Sequence, residues 1–210
     1  MSIEERLAEA RLVPVIALPR AEDAVPLCEA LGAGGLRCAE MTFRTAAGRE
    51  GLKLAVERFP DFLVGAGTVT TPEEAKQAAD AGARFAVAPG TNPHVIETAL
   101  AAGLPFSPGV CTPSDIEAAL ACGVTLLKFF PAEAAGGVKF LKAIAAPYKH
   151  RGVRFVPTGG INEKNAAAYL AMKEVVAVGG SWIVASELLE ARDWKEVERR
   201  TAIAMAALKA

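Results

Sequence analysis

Runs rich in Val, Ile, Leu and Phe recur along the chain at about 13–18, 36–43, 63–69, 85–89, 105–110, 126–131, 154–158 and 175–178. Each is too short to be a helix, and each continues into Gly, Pro, Ser or Thr before a segment with helical patterning. Helix starts are marked by capping chemistry. Thr71-Pro72-Glu73-Glu74 places a side-chain cap, a first-turn proline and two acids in order, and Thr112-Pro113-Ser114-Asp115 and Thr91-Asn92-Pro93 repeat the device. Gly82, Gly103 and Gly123 stand where helices should end. Strand starts about 20 to 28 residues apart, with helices between them, require parallel strands joined by right-handed crossovers. Eight such units predict a (β/α)8 TIM barrel preceded by an N-terminal helix, with a doubly wound open sheet as the alternative. Most runs are apolar throughout rather than alternating, as expected of strands covered on both faces.

A chain of 210 residues fits one such domain, 1–210. With 23 basic and 24 acidic side chains the net charge is −1, so no global field favours nucleic acid or an anionic membrane surface. The opening Met1-Ser2-Ile3-Glu4-Glu5-Arg6 reads as an amphipathic helix, and no apolar run approaches the roughly 20 residues of a membrane span. The expectation is a soluble, cytoplasmic protein. Cys28, Cys38, Cys111 and Cys122 show no metal-binding spacing and read as buried free thiols, while His94 and His150 stand far apart. Neither a metal nor an organic cofactor is expected.

In a barrel the chemistry sits at the C-terminal strand ends, so the polar residues there carry the functional reading. Lys128 is the one lysine of ten inside a strongly apolar run, Leu126-Leu127-Lys128-Phe129-Phe130-Pro131. Apolar surroundings disfavour an ammonium, and a neutral amine can attack a carbonyl to form a Schiff base. Alternatively, the stem packs and the head reaches solvent. In Cys38-Ala39-Glu40-Met41-Thr42-Phe43-Arg44-Thr45, Glu40 reads as an acid or base and Arg44 as a carboxylate clamp, unless the two simply pair. Thr68, in Gly65-Ala66-Gly67-Thr68-Val69, offers a hydroxyl beside flexible backbone. Pro89-Gly90 and Pro108-Gly109 read as turn formers, with Pro89 also counted among the candidate substrate contacts. Thr158-Gly159-Gly160 and Gly179-Gly180-Ser181 end the seventh and eighth units, where barrel loops commonly present backbone NH groups to phosphate. Glu133, five residues after Lys128, reads as a loop or capping residue, with a second acid or a partner tuning the lysine as the alternative.

In order and spacing these segments, together with Val13-Pro14-Val15-Ile16 and Lys128-Phe129-Phe130-Pro131-Ala132-Glu133, resemble the 2-keto-3-deoxy-6-phosphogluconate aldolase family. These are class I aldolases that also cover 4-hydroxy-2-oxoglutarate cleavage. The resemblance runs nearly the whole chain. It implies a homotrimeric (β/α)8 lyase of carbohydrate metabolism, of the Entner–Doudoroff type, releasing pyruvate and glyceraldehyde 3-phosphate. It implies Lys128 as the Schiff-base lysine, Glu40 as general acid/base, and Arg44 and Thr68 as pyruvate-carboxylate contacts. Thr158, Gly159, Gly160, Gly180 and Ser181 match the substrate and phosphate loops. Met41 and Phe43 depart from the family's usual apolar residues. The sister group acting on the galactonate isomer fits less well, because it carries an arginine on its first strand and a valine where Thr158 stands. Two other functions stay open: dominant 4-hydroxy-2-oxoglutarate cleavage, and a phosphate-binding barrel isomerase working without a covalent intermediate.

Overall fold

A computed structural model describes residues 1–209; Ala210, the last residue of the expected domain, lies outside the described residues. Strands β1 (Leu12–Ile16), β2 (Cys38–Thr42), β3 (Leu63–Gly67), β4 (Ala86–Val87) and β5 (Phe106–Ser107) pair in parallel in chain order. After Pro108 the chain resumes as β6 (Gly109–Val110), which pairs with β7 (Leu126–Phe129), and β7 pairs with β8 (Arg154–Pro157). The last strand, β9 (Val178–Gly180), returns beside β1 with Val13 opposite Gly179 and Pro14 opposite Gly180. The result is an α/β fold with a curled parallel sheet and helices between successive strands, except that Pro108 alone separates β5 from β6, and to that level it meets the expected architecture.

The capping devices form as read. Thr71 Oγ1 accepts from the Glu74 amide at 3.1 Å and Asn92 Oδ1 from the His94 amide at 3.1 Å. Thr112 and Asp115 form a reciprocal capping box at the start of the helix Pro113–Ala121. Gly82, Gly103 and Gly123 follow their helices with φ of +80°, +71° and +78°, conformations that cost an L side chain energy. The N-terminal helix α1 (Ile3–Ala10) is held by its own capping box, Ser2 with Glu5.

Two expectations need correction. The eighth strand lies at Val178–Gly180 rather than 175–178. Val175 and Val176 are buried, but Phe155 takes up their backbone: its amide donates to Glu174 O, and the Val176 amide donates to Phe155 O. The strand itself uses Gly179 because a Cβ there would come within 2.2 Å of Thr158 Oγ1. The thiols are free, yet only Cys28 and Cys38 are buried, while Cys111 and Cys122 are partly exposed. Burial pushes the Cys28 thiol up to about 12, and burial together with the Glu40 charge raises Cys38, so both stay protonated.

Inside the sheet lies a chamber of about 60 Å³. Ile3 and Leu7 of α1 line it beside Val13, Phe106 and Leu126, which stand early on their strands, so α1 stops its N-terminal end. Glu40, Lys128 and Thr158 line the same chamber from later strand positions.

Candidate active site

Three strands converge on one ion pair. Lys128, third residue of β7, is 6% exposed, and Glu40, at the centre of β2, is 2% exposed. Their side chains meet across the chamber with Nζ donating to Glu40 Oε1 at 3.1 Å. The lysine head therefore does not reach solvent, and Glu40 is not spent on Arg44. β3 makes room for the carboxylate: a Cβ on Gly67 would stand 2.3 Å from Glu40 Oε1. On the other side, Lys128 lies opposite Gly109 of β6 and Val156 of β8. A Cβ on Gly109 would strike the Pro89 carbonyl carbon at 2.2 Å, so Pro89 packs against the strand next to the lysine. The Phe130 ring, with its centroid 5.7 Å from Nζ, adds a cation–π contact.

Thr158 is buried, and its backbone bridges to Gly179, which brings the ends of β8 and β9 together. Gly159 and Gly160 follow with φ of +102° and +78°, backbone that favours glycine and turns successive NH groups into one loop. Gly180 packs under the Trp182 ring, where a Cβ would lie 2.0 Å from a ring carbon. Ser181 is exposed just beyond it.

Arg44 is exposed beyond β2, its Nε donating to Thr42 Oγ1 at 3.3 Å. Thr68 adopts φ of +61°, uncommon for a β-branched residue and worth about 1–3 kcal/mol of strain; such strain clusters at functional sites. No direct hydrogen bond joins the side chains of Arg44, Thr68 or Ser181 to Lys128 among the described residues.

Sequence reasoning passed over three neighbours. Thr42 holds Arg44; its signal was a second polar side chain, two residues after Glu40, on a buried strand. Phe130 was legible only as part of the run carrying Lys128. Tyr169, fully buried on the helix Ala166–Leu170, donates its hydroxyl to Glu133 Oε1, and nothing in its local sequence marks it. Among the described residues no group of three or more His, Cys, Asp or Glu side chains is arranged to hold a metal ion. Among the described residues no helix is long and apolar enough to cross a membrane.

A buried lysine hydrogen-bonded to a carboxylate from another strand, inside an apolar chamber, is the arrangement of a Schiff-base aldolase. Residues 3–200 match the family model described as KDPG and KHG aldolase, and the chain belongs to that family. It is 47% identical over 197 residues to the 2-dehydro-3-deoxy-phosphogluconate aldolase of Treponema pallidum (strain Nichols), covering 94% of this chain and 93% of that one. It is 41% identical over 198 residues to the KHG/KDPG aldolase of Escherichia coli (strain K12), covering 94% and 92%. Among solved structures it superposes on the KDPG aldolase of Legionella pneumophila, determined with pyruvate captured at low pH as a covalent carbinolamine intermediate. That match has a TM-score of 0.92 at 40% identity and covers 97% of this chain and 98% of the other.

Proposed function

We propose that this chain is a class I aldolase that cleaves 2-keto-3-deoxy-6-phosphogluconate to pyruvate and glyceraldehyde 3-phosphate through a Schiff base on Lys128. The observation that carries this reading is the buried Lys128–Glu40 pair at 3.1 Å. Two ions removed from water cost several kcal/mol each, about what their attraction returns, so stability alone gives little reason to keep them. Chemistry gives one. Passing a proton from Lys128 to Glu40 leaves a neutral amine and a neutral acid in contact. The amine adds to the C2 ketone, the Glu40 acid gives its proton to the carbinolamine hydroxyl, and that hydroxyl leaves as water to give an iminium. Glu40, again a carboxylate, accepts the C4 hydroxyl proton as the C3–C4 bond breaks, with the electron pair drawn into the iminium as it becomes an enamine. The aldehyde leaves, Glu40 returns the proton to C3, and water hydrolyses the iminium to free pyruvate.

Around this centre, Arg44 and Thr68 serve the substrate carboxylate and Pro89 the wall beside the lysine. Thr158, Gly159, Gly160, Gly180 and Ser181 serve the distal hydroxyls and phosphate. Their support is position: all stand at or just after strand ends on the side of the chamber opposite α1. We also infer that the sheet closes into an eight-membered ring forming one domain. β5 and β6 flank Pro108 as one interrupted strand, the Phe155–Val175 bridge ties β8 to the segment before β9, and the Thr158–Gly179 bridge ties the residue after β8 to β9. A homotrimer acting on small-molecule substrates remains the expectation of the resemblance, and light scattering tests the trimer; a cytoplasmic location with no nucleic-acid or membrane partner remains the expectation of charge balance and hydropathy.

Incubation with pyruvate and borohydride should attach one reduced three-carbon unit per chain, at Lys128, and Lys128→Met should take up none. Label on another lysine would overturn the assignment. Activity should survive chelators. A second reading, dominant cleavage of 4-hydroxy-2-oxoglutarate, draws support from the paired KDPG and KHG description of the family. Both substrates present the same ketone and carboxylate, so only the phosphate separates them. The phosphorylated acid should have the higher kcat/KM by at least about a hundredfold, roughly 2.7 kcal/mol. Equal values would establish the second reading.

A further inference from the structure

Glu133 puts a carboxylate beside the loop to which we assign the phosphate. Its amide donates to Gly159 O at 3.0 Å, and the preceding Ala132 amide donates to Thr158 O at 2.8 Å, so the loop after β7 is stitched to the loop after β8. A Cβ on Gly160 would lie 2.7 Å from Glu133 Cβ and 2.9 Å from its Cγ, which places the stem directly on that loop. An unanchored carboxylate on this stem would compete with an anionic ligand for the Gly159 and Gly160 amides and repel it. The carboxylate is anchored elsewhere. Oε1 accepts the Tyr169 hydroxyl, and Gly137 leaves space for the pair, since a Cβ there would stand 3.3 Å from Glu133 Oε1 and 3.6 Å from the Tyr169 hydroxyl.

We propose that Tyr169 is a specificity-determining positioning residue, which holds the Glu133 carboxylate away from the Gly159–Gly160 loop and so keeps that loop receptive to the substrate's phosphate. Burial, and next the bond to Glu133, raise the phenol from its ordinary value, so the hydroxyl remains a donor across the working range of pH. The assignment rests on the phosphate-loop reading given above and deepens it.

The test compares the phosphorylated sugar acid with 4-hydroxy-2-oxoglutarate, and adds inorganic phosphate as a competitive inhibitor. Tyr169→Phe should raise KM for the phosphorylated substrate and Ki for phosphate about tenfold. Its kcat, its kinetics on the unphosphorylated acid and its trapping with pyruvate should stay within about twofold of wild type. Glu133→Gln, neutral but still an acceptor, should match wild type, and Tyr169→Phe/Glu133→Gln should recover KM to within about threefold. Should Tyr169→Phe fold poorly, exposed Glu133 supplies the same contrast. Glu133→Asp keeps the charge but falls one methylene short of Tyr169, and should reproduce the tenfold rise that Glu133→Gln lacks. Parallel losses on both substrates, or no recovery in the double variant, would overturn the proposal in favour of simple packing. A wild-type enzyme without phosphate preference would instead overturn the phosphate-loop reading, and this one with it.

Discussion

Gly67→Ala is a one-methyl perturbation aimed at the carboxylate to which we assign proton transfer. The added Cβ would sit 2.3 Å from Glu40 Oε1, 2.8 Å from Cγ and 2.9 Å from Cδ, whereas ordinary contact begins at 3.4 Å. The carboxylate must retreat by about 1 Å, because Gly67 is fixed by its ladder to Thr42 of β2. Glu40 Oε1 starts 3.1 Å from Lys128 Nζ, so a displacement of that size destroys the hydrogen-bond geometry whether it closes the gap to a clash or opens it beyond range. A misplacement of 1 Å in a reacting group costs about a hundredfold in rate, or roughly 2.7 kcal/mol of barrier. Steady-state cleavage, coupled to reduction of the released pyruvate, should therefore show kcat down by about two orders of magnitude. Single-turnover trapping with pyruvate and borohydride should still label Lys128, since the lysine itself is not displaced. Gly65→Ala is the control. Its Cβ would meet the Phe85 ring at 2.3 Å rather than the ion pair, so it should lower thermal stability more than kcat. A Gly67→Ala enzyme that folds normally and keeps kcat within threefold would refute the assignment of Glu40 as proton carrier.

Glu40→Gln should retain some Schiff-base formation with pyruvate while losing cleavage by about two to four orders of magnitude, measured by single-turnover kinetics. Lys128→Met strands a buried carboxylate and should destabilise by about 3–5 kcal/mol in denaturant titration, but by clearly less in a Glu40→Gln background, where no charge is left unpaired. Asp115 gives a pH prediction. Burial alone would raise its carboxyl, but hydrogen bonds from the Cys111 and Thr112 amides and the Thr112 hydroxyl outweigh that and hold it below its ordinary value of 3.8. Its stabilisation is thus complete above the unfolded-state value and lost as pH falls through the lower folded-state value. Asp115→Asn should cost about 1 kcal/mol at neutral pH, allowing for its partial exposure, and nothing once the wild-type carboxyl is protonated. A constant difference from pH 7 down to pH 2 would refute the cap.

What could be read from the sequence was what neighbours in the chain decide. The caps at Thr71, Asn92 and Thr112 satisfy amides two or three residues on, so four letters suffice to find them. Lys128 was legible because an ammonium contradicts its apolar run, and Glu40 for the same reason on β2. The eighth strand was misplaced because β-branched Val175 and Val176 look more like strand than Gly179 and Gly180. What decided the matter was space against Thr158 and Trp182, brought there by the fold. Contacts between residues distant in the chain were beyond reach. Glu40 meets Lys128 across 88 positions and Glu133 meets Tyr169 across 36, and no local pattern announces either pairing.

The same competition between propensity and space explains where the chemistry sits. Glycine weakens a strand, yet Gly65 and Gly67 on β3, Gly109 on β6 and Gly179 on β9 all occupy paired positions around the chamber. At Gly67 a Cβ would take the volume of Glu40's carboxylate, at Gly109 that of the Pro89 carbonyl, and at Gly179 that of the Thr158 hydroxyl. The strands give up side chains where polar groups must converge, and α1 stops the far end so that the chamber stays narrow and apolar below them. A lysine that merely packed its stem would send its head to solvent. Here the head ends on a carboxylate from another strand, in space that a third strand leaves open, and that is the arrangement proton transfer requires.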